Sequence, residues 1–214
     1  MPPLPPPDSL IFDLDGTLWD TCPACALAWN TVLRRHAIAF REITAQDVRN
    51  VAGRPHDACI RDTFTGLSEA EHDLLIDETM REDSRAIELH GGSVYPGVDA
   101  GLRALARSYP LFIVSNCQAG YIELFLRKSG LAAQFRDFEC WGNTGRPKPD
   151  NLRDLIARNA LARPWFVGDA SGDLQAAEAC QVPFVHAAYG FGRVERAALR
   201  VQRFDELVQR LCPA

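Results

Sequence analysis

Short apolar runs recur along this chain at wide intervals. Between the later ones, apolar residues return every three or four positions. Runs at 10–14 (LIFDL), 111–115 (LFIVS), 138–141, 165–168 (WFVG) and 183–187 (PFVHA) predict short, fully buried strands. The sets Val98, Leu102 and Leu105, then Ile122, Phe125 and Leu126, then Leu152, Leu155 and Ile156 each line one face of a helix. Strands alternating with helices of this length predict an α/β fold, a parallel sheet with helices on both faces.

The alternation is interrupted early. After the first strand the pattern is helical over 25–36, 44–51, 56–64 and 69–89, until Gly91, Gly92, Pro96 and Gly97 break the chain. Charge marks the same stretch. Residues 20–90 hold eight arginines, no lysine and thirteen carboxylates, which accounts for the whole net charge of −5. The expected organisation is a core of residues 1–19 and 91–214 with an inserted all-helical domain, 20–90. Residues 1–7, rich in proline, are expected to form a disordered leader.

Composition narrows the function classes. An acidic chain of 214 residues suits neither nucleic-acid backbone binding nor a membrane surface, yet a site inside it can be locally positive. No apolar run approaches a membrane span, and seven irregularly spaced cysteines suit free thiols in a reducing cytoplasm. Cys22 and Cys25 form a lone C-x-x-C, read as two small residues near a helix start. His36, His56, His72, His90 and His186 lack metal-ligand spacing and read as structural or surface. The acidic segment 69–88 reads as a solvated helix face. The chain is expected to act as a monomer or homodimer.

Ligands of an open parallel sheet bind beyond the carboxyl ends of its strands. Here those ends carry Asp13-Leu14-Asp15-Gly16-Thr17, Ser115-Asn116, Arg146-Pro147-Lys148-Pro149 and Gly168-Asp169-Ala170-Ser171-Gly172-Asp173. Two carboxylates at i and i+2 suit different tasks, one attacking an electrophile and one moving a proton. A carboxylate attacking a phosphoryl group needs cations to offset repulsion. Lys148 can serve as a fixed one, and Asp13, Asp169 and Asp173 are hard oxygen ligands suited to Mg²⁺. Ser115 and Asn116 offer neutral donors to phosphate oxygens.

In this order the residues resemble the haloacid-dehalogenase-like superfamily of phosphohydrolases. Asp13-Leu14-Asp15-Gly16-Thr17-Leu18 is similar to its first motif, Ser115 to the second, Lys148 to the third, and Asp169 with Asp173 to the fourth. The resemblance implies a Rossmann-like core with a helical cap and an aspartyl-phosphate intermediate. It makes Asp13 the nucleophile and Asp15 the general acid/base. Mg²⁺ would be held by Asp13, the Asp15 carbonyl and Asp169, with Asp173 supporting the metal or Lys148. Thr17 belongs to the phosphate-binding turn. Gly53-Arg54-Pro55 resembles a substrate loop of the cap, with Arg54 reaching a second anionic group.

Within that resemblance, Asp15 favours phosphoryl transfer over dehalogenation, because a departing halide needs no proton. The absence of lysine from 20–90 disfavours Schiff-base phosphonate chemistry. The expectation is a Mg²⁺-dependent phosphatase acting on a small phosphorylated metabolite, similar to phosphoglycolate phosphatases. A sugar phosphomutase and a non-catalytic phospho-ligand-binding protein are the alternatives.

Overall fold

The computed structural model describes residues 5–212. Residues 1–4 of the proline-rich leader lie outside them. Pro7 is buried, so the ordered chain begins earlier than proline content suggests. Strand β1 (Ser9–Phe12) is followed by a two-residue strand β2 (Trp19–Asp20) and four helices: α1 (Cys22–Arg35), α2 (Ala45–Val51), α3 (His56–Thr63) and α4 (Glu69–His90). Strand β3 (Ser93–Val94) then pairs antiparallel with β2, closing a two-stranded ribbon at the base of the helical insert. The remaining chain runs α5 (Val98–Leu105), β4 (Leu111–Ser115), α6 (Tyr121–Ser129), β5 (Phe135–Cys140), α7 (Trp141–Thr144) and α8 (Lys148–Arg158). It ends with β6 (Pro164–Gly168), α9 (Ser171–Ala179), β7 (Phe184–Ala187), β8 (Leu199–Val201) and α10 (Phe204–Leu211).

Six strands form one parallel sheet in the order β5-β4-β1-β6-β7-β8. Successive side chains of a strand face opposite ways, so a sheet covered on both faces needs unbroken apolar runs. The chain obeys this. Leu10, Phe12, Leu111, Ile113, Trp165 and Val167 enter one cluster with α5, α6 and α10. Ile11, Phe112, Val114 and Phe166 enter a second with α8 and α9. The result is a Rossmann-like α/β core bearing a helical cap.

Two strands, β1 and β5, depart by more than a residue from their expected bounds. β1 ends at Phe12, because Asp13 and Leu14 already belong to the turn that follows. β5 starts at Phe135, and Trp141 opens α7 instead of closing the strand. Alternating polar residues in FRDFEC hid the first half of this edge strand. The ribbon of β2 and β3 and the three-residue β8 are too short to leave a periodic signal.

The insert is held by local signals and a small core. Thr44 with Asp47, and Ser68 with Glu71, form reciprocal capping boxes that start α2 and α4. Trp29, Phe64 and Phe40 pack in series as tilted rings, with centroids 5.7 and 5.1 Å apart. Asn30 fixes the loop before α2, donating to the Ile43 carbonyl at 2.7 Å and accepting from its amide at 2.8 Å. Trp19, on the ribbon, packs edge-on against Tyr121 and Phe125 of α6, so insert and core share one continuous apolar cluster.

Candidate active site

The turn after β1 is built by one carbonyl. The Leu14 oxygen accepts amides from Thr17, Leu18 and Trp19 at 3.2, 2.8 and 3.3 Å, coiling the chain into a single tight loop. Gly16 makes this possible at φ +81°, and a Cβ there would lie 2.4 Å from Asp169 Oδ2. The loop therefore presses directly on the end of β6. Asp13, 1% exposed, sits at its start.

Lys148, the first residue of α8, is buried and donates to Asp13 Oδ1 and Asp173 Oδ1, each at 2.7 Å. Asp173 divides its two oxygens. Oδ1 takes the lysine, and Oδ2 accepts the amides of Asp169 (3.1 Å) and Ala170 (2.9 Å), capping α9. Asp169 Oδ2 accepts amides of Phe191 (2.7 Å) and Gly192 (3.0 Å) from the loop after β7. One carboxylate oxygen each from Asp13, Asp169 and Asp173 lie within 4.8 Å of one another.

Charge here does not balance. Three carboxylates face one ammonium, and burial removes the water that would screen them. Burial and the Asp173 charge push Asp13 well above the carboxylate range despite its lysine. The same two causes raise Asp169 to about 7. Asp13 Oδ2 is buried and has no hydrogen-bond partner, although buried polar atoms are ordinarily paired. A divalent cation fits this donor set: hard oxygens, an unpaired buried oxygen, and an excess negative charge of two.

Asp15 faces the other way. It accepts from the Tyr121 hydroxyl at 2.8 Å and the Thr21 hydroxyl at 3.5 Å. Burial outweighs these bonds and raises its carboxyl to about 6. Thus the i, i+2 pair is split, Asp13 joining the carboxylate cluster and Asp15 lining the adjoining cavity. Ser115 ends β4, buried, and lines a cavity of about 70 Å³ between cap and core that Asp15 also lines. Thr17 is fully buried with its hydroxyl unpaired. The Asn116 amide donates to the Gly53 carbonyl of the cap at 2.8 Å. Arg54 lines the same cavity, but its guanidinium pairs with Asp62 and is 49% exposed.

The sequence pattern missed several cavity residues. Tyr121, at the start of α6, lines the cavity but lies outside the apolar set that marked its helix. Asp83 lay within a segment that reads as a solvated helix face, yet it is 4% exposed and points against Trp29, whose indole donates to it at 3.3 Å. That expectation is corrected by packing: α1 and α3 cover the inner side of α4, and one acidic residue falls on it. His56 is likewise buried against Thr79 at 2.9 Å. Cys22 and Cys25 sit at the start of α1 with free thiols. No described helix is long and apolar enough to cross a membrane.

A parallel sheet whose strand ends gather a buried lysine and three buried carboxylates beneath a helical cap defines the class to which this fold belongs. The chain belongs to the haloacid dehalogenase-like hydrolases, whose family model matches residues 10–187. It is similar to phosphoglycolate phosphatases of Rhodospirillum rubrum (31% identity, covering 90% of this chain and 84% of the relative) and Rhodobacter capsulatus (29%, covering 89% of each). The fold is shared with a predicted phosphoglycolate phosphatase of Haemophilus somnus (TM-score 0.82, 22% identity, covering 95% of this chain and 97% of that one). A haloacid dehalogenase-like family protein of Streptococcus pneumoniae also shares it (TM-score 0.80, 18%, with the same coverage).

Proposed function

We propose that this enzyme is a phosphoric monoester hydrolase. It cleaves a small phosphorylated metabolite through an aspartyl-phosphate on Asp13, with Mg²⁺ as cofactor. The observation that carries this reading is the buried cluster of Asp13, Lys148, Asp169 and Asp173, with Asp15 turned to the adjoining cavity. Asp13 and Asp169 are the side chains that would hold the metal, joined by the Asp15 carbonyl. Both Asp173 oxygens are engaged by Lys148 and two amides, which suits a supporting role. The cation supplies charge neutralisation and orientation of the phosphoryl group.

The chain's own groups do the rest. Lys148 holds Asp13 oriented by one oxygen. Asp13 attacks phosphorus, and the bond to the leaving oxygen breaks. Asp15, with its carboxyl raised to about 6, is partly protonated near neutrality and gives its proton to the departing alkoxide. The resulting Asp15 carboxylate then takes a proton from the water that hydrolyses the acyl phosphate. Residues 20–90 would act as the cap, flexing at the ribbon of β2 and β3 to exclude bulk water.

The test is hydrolysis of p-nitrophenyl phosphate with Mg²⁺ and with EDTA. Turnover should need the cation, and Asp13→Asn should lower kcat by about 10³-fold or more. Turnover persisting in Asp13→Asn would refute the nucleophile assignment.

A further inference from the structure

The cavity beyond Asp15 carries chemistry that the phosphoryl site does not use. Asp83, on the inner face of α4, lines it and is 4% exposed. One of its oxygens accepts from Trp29 Nε1 at 3.3 Å, while Oδ1 is buried without a partner. His56 stands beside it, with Nδ1 at 3.7 Å from Asp83 Oδ2. The Thr79 hydroxyl gives its proton to the Leu75 carbonyl at 2.5 Å, so its oxygen accepts from His56 Nε2 at 2.9 Å. A neutral His56 therefore presents a lone pair at Nδ1. Burial favours that neutral form, lowering the imidazole to about 4 and raising Asp83 to about 8.

This wall of the cap thus offers a buried carboxyl oxygen, Asp83 Oδ1, that lacks a partner. A buried, unpaired acceptor is costly, and a ligand donor removes the penalty. Trp29 and Tyr121 line the same cavity, giving aromatic surface suited to a cation. Positive charge is scarce. Among the described residues lining the cavity, Arg54 carries the one permanent cation, and its guanidinium is engaged outside by Asp62. Arg49, behind the wall, is held by Asp20 at 2.7 Å. A carboxylate on the alcohol portion of a substrate would meet Asp15 and Asp83 in a water-poor space. An ammonium there would meet two carboxyl groups and an imidazole lone pair.

We propose that the phosphomonoester this enzyme hydrolyses bears an ammonium group on its alcohol portion, a short aminoalkyl phosphate, with Asp83 and His56 as its specificity-determining contacts. This inference rests on the phosphatase reading for its phosphoryl end. Two relatives named phosphoglycolate phosphatases share 31% and 29% identity with this chain. The inference separates its leaving-group pocket from a carboxylate-bearing ester.

The experiment compares kcat/KM for 2-aminoethyl phosphate, ethyl phosphate and phosphoglycolate, all with Mg²⁺. The amine should exceed ethyl phosphate by at least about ten-fold, and phosphoglycolate should fall below it. Asp83→Asn should bring the amine-to-ethyl ratio down to about one. A preference for phosphoglycolate that is lost in Arg54→Gln would overturn the proposal and assign the pocket to a carboxylate. An amine-to-ethyl ratio near one in the unaltered enzyme would also overturn it. Calorimetric binding of the same three esters to Asp13→Asn protein decides the matter without turnover. If no ester is hydrolysed, the phosphatase reading fails. Tighter binding of the amine would still support the assignment of Asp83 and His56 as ammonium contacts, and equal or weaker binding would overturn it.

Discussion

Asp83 shows how a single buried carboxyl can set both specificity and pH response. It has no ammonium or guanidinium partner. Around it stand Trp29, Cys25 and His56, while neighbouring Glu82 is turned out to Arg35. Its carboxyl is raised from 3.8 to about 8 by burial. The native state therefore holds a proton that the unfolded chain has already released. Its favourable contribution is complete below pH 4 and is lost as pH rises through 8. Denaturant titrations at pH 5 and pH 9 test this. Asp83→Asn cannot ionise, so its stability relative to the unaltered protein should rise between the two pH values. The upper bound on that rise is about 4 kcal/mol, at about 1.4 kcal/mol per pH unit. An equal difference at both pH values would mean that Asp83 is not neutral in the folded protein.

At the level of elements, the site is a junction of strand ends and helix starts. The loop after β7 matters as much as the motifs. Its amides at Phe191 and Gly192 hold Asp169, and Gly190 lies against the first turn. A Cβ on Gly190 would come within 2.2 Å of the Gly16 carbonyl and 2.4 Å of Asp169 Cβ. Neither neighbour can yield without moving the turn or the Asp169 carboxylate. Gly190→Ala should lower kcat by about ten-fold or more and raise the Mg²⁺ concentration needed for half-maximal rate, although the residue touches no substrate. Unchanged metal dependence in a folded variant would show that the loop is only a cover. Sequence reasoning found Asp169 through its motif but had no handle on this loop, because its role is expressed through backbone amides.

Across the whole molecule, the cap is tied to the core by the β2–β3 ribbon, by the Trp19 contact with α6, by Glu88 of α4 pairing with Arg127 and Lys128 of α6, by the Thr21–Tyr121 hydrogen bond, and by a latch at Asn116. The Asn116 amide, at the end of β4, donates to the Gly53 carbonyl in the loop between α2 and α3. On the proposed phosphatase reading, phosphate oxygens would compete with this carbonyl for the same donor, which would link occupancy of the site to the position of the cap. Asn116→Leu removes the donor while keeping similar bulk. Amide exchange at residues 52–55 should quicken, and kcat/KM should fall about ten-fold, mostly through KM. Exchange unaltered from that of the parent protein would show that Asn116 does not hold the cap.

The sequence alone determined the α/β core and the chemistry at its edge. Unbroken apolar runs can be buried only in a sheet covered on both faces, and local motifs carry residue types that one reaction needs. Asp13, Lys148 and Asp169 were legible because strand order in a parallel sheet delivers carboxyl ends to one side, whatever the intervening loops. Tertiary structure decided the rest. Which acidic residue of α4 faces inward, which way Arg54 and Asn116 turn, and which amides grip Asp169 depend on contacts between distant segments. Those contacts leave no local period in the chain: Asp83 differs from Glu82 only in the side of the helix that α1 happens to cover.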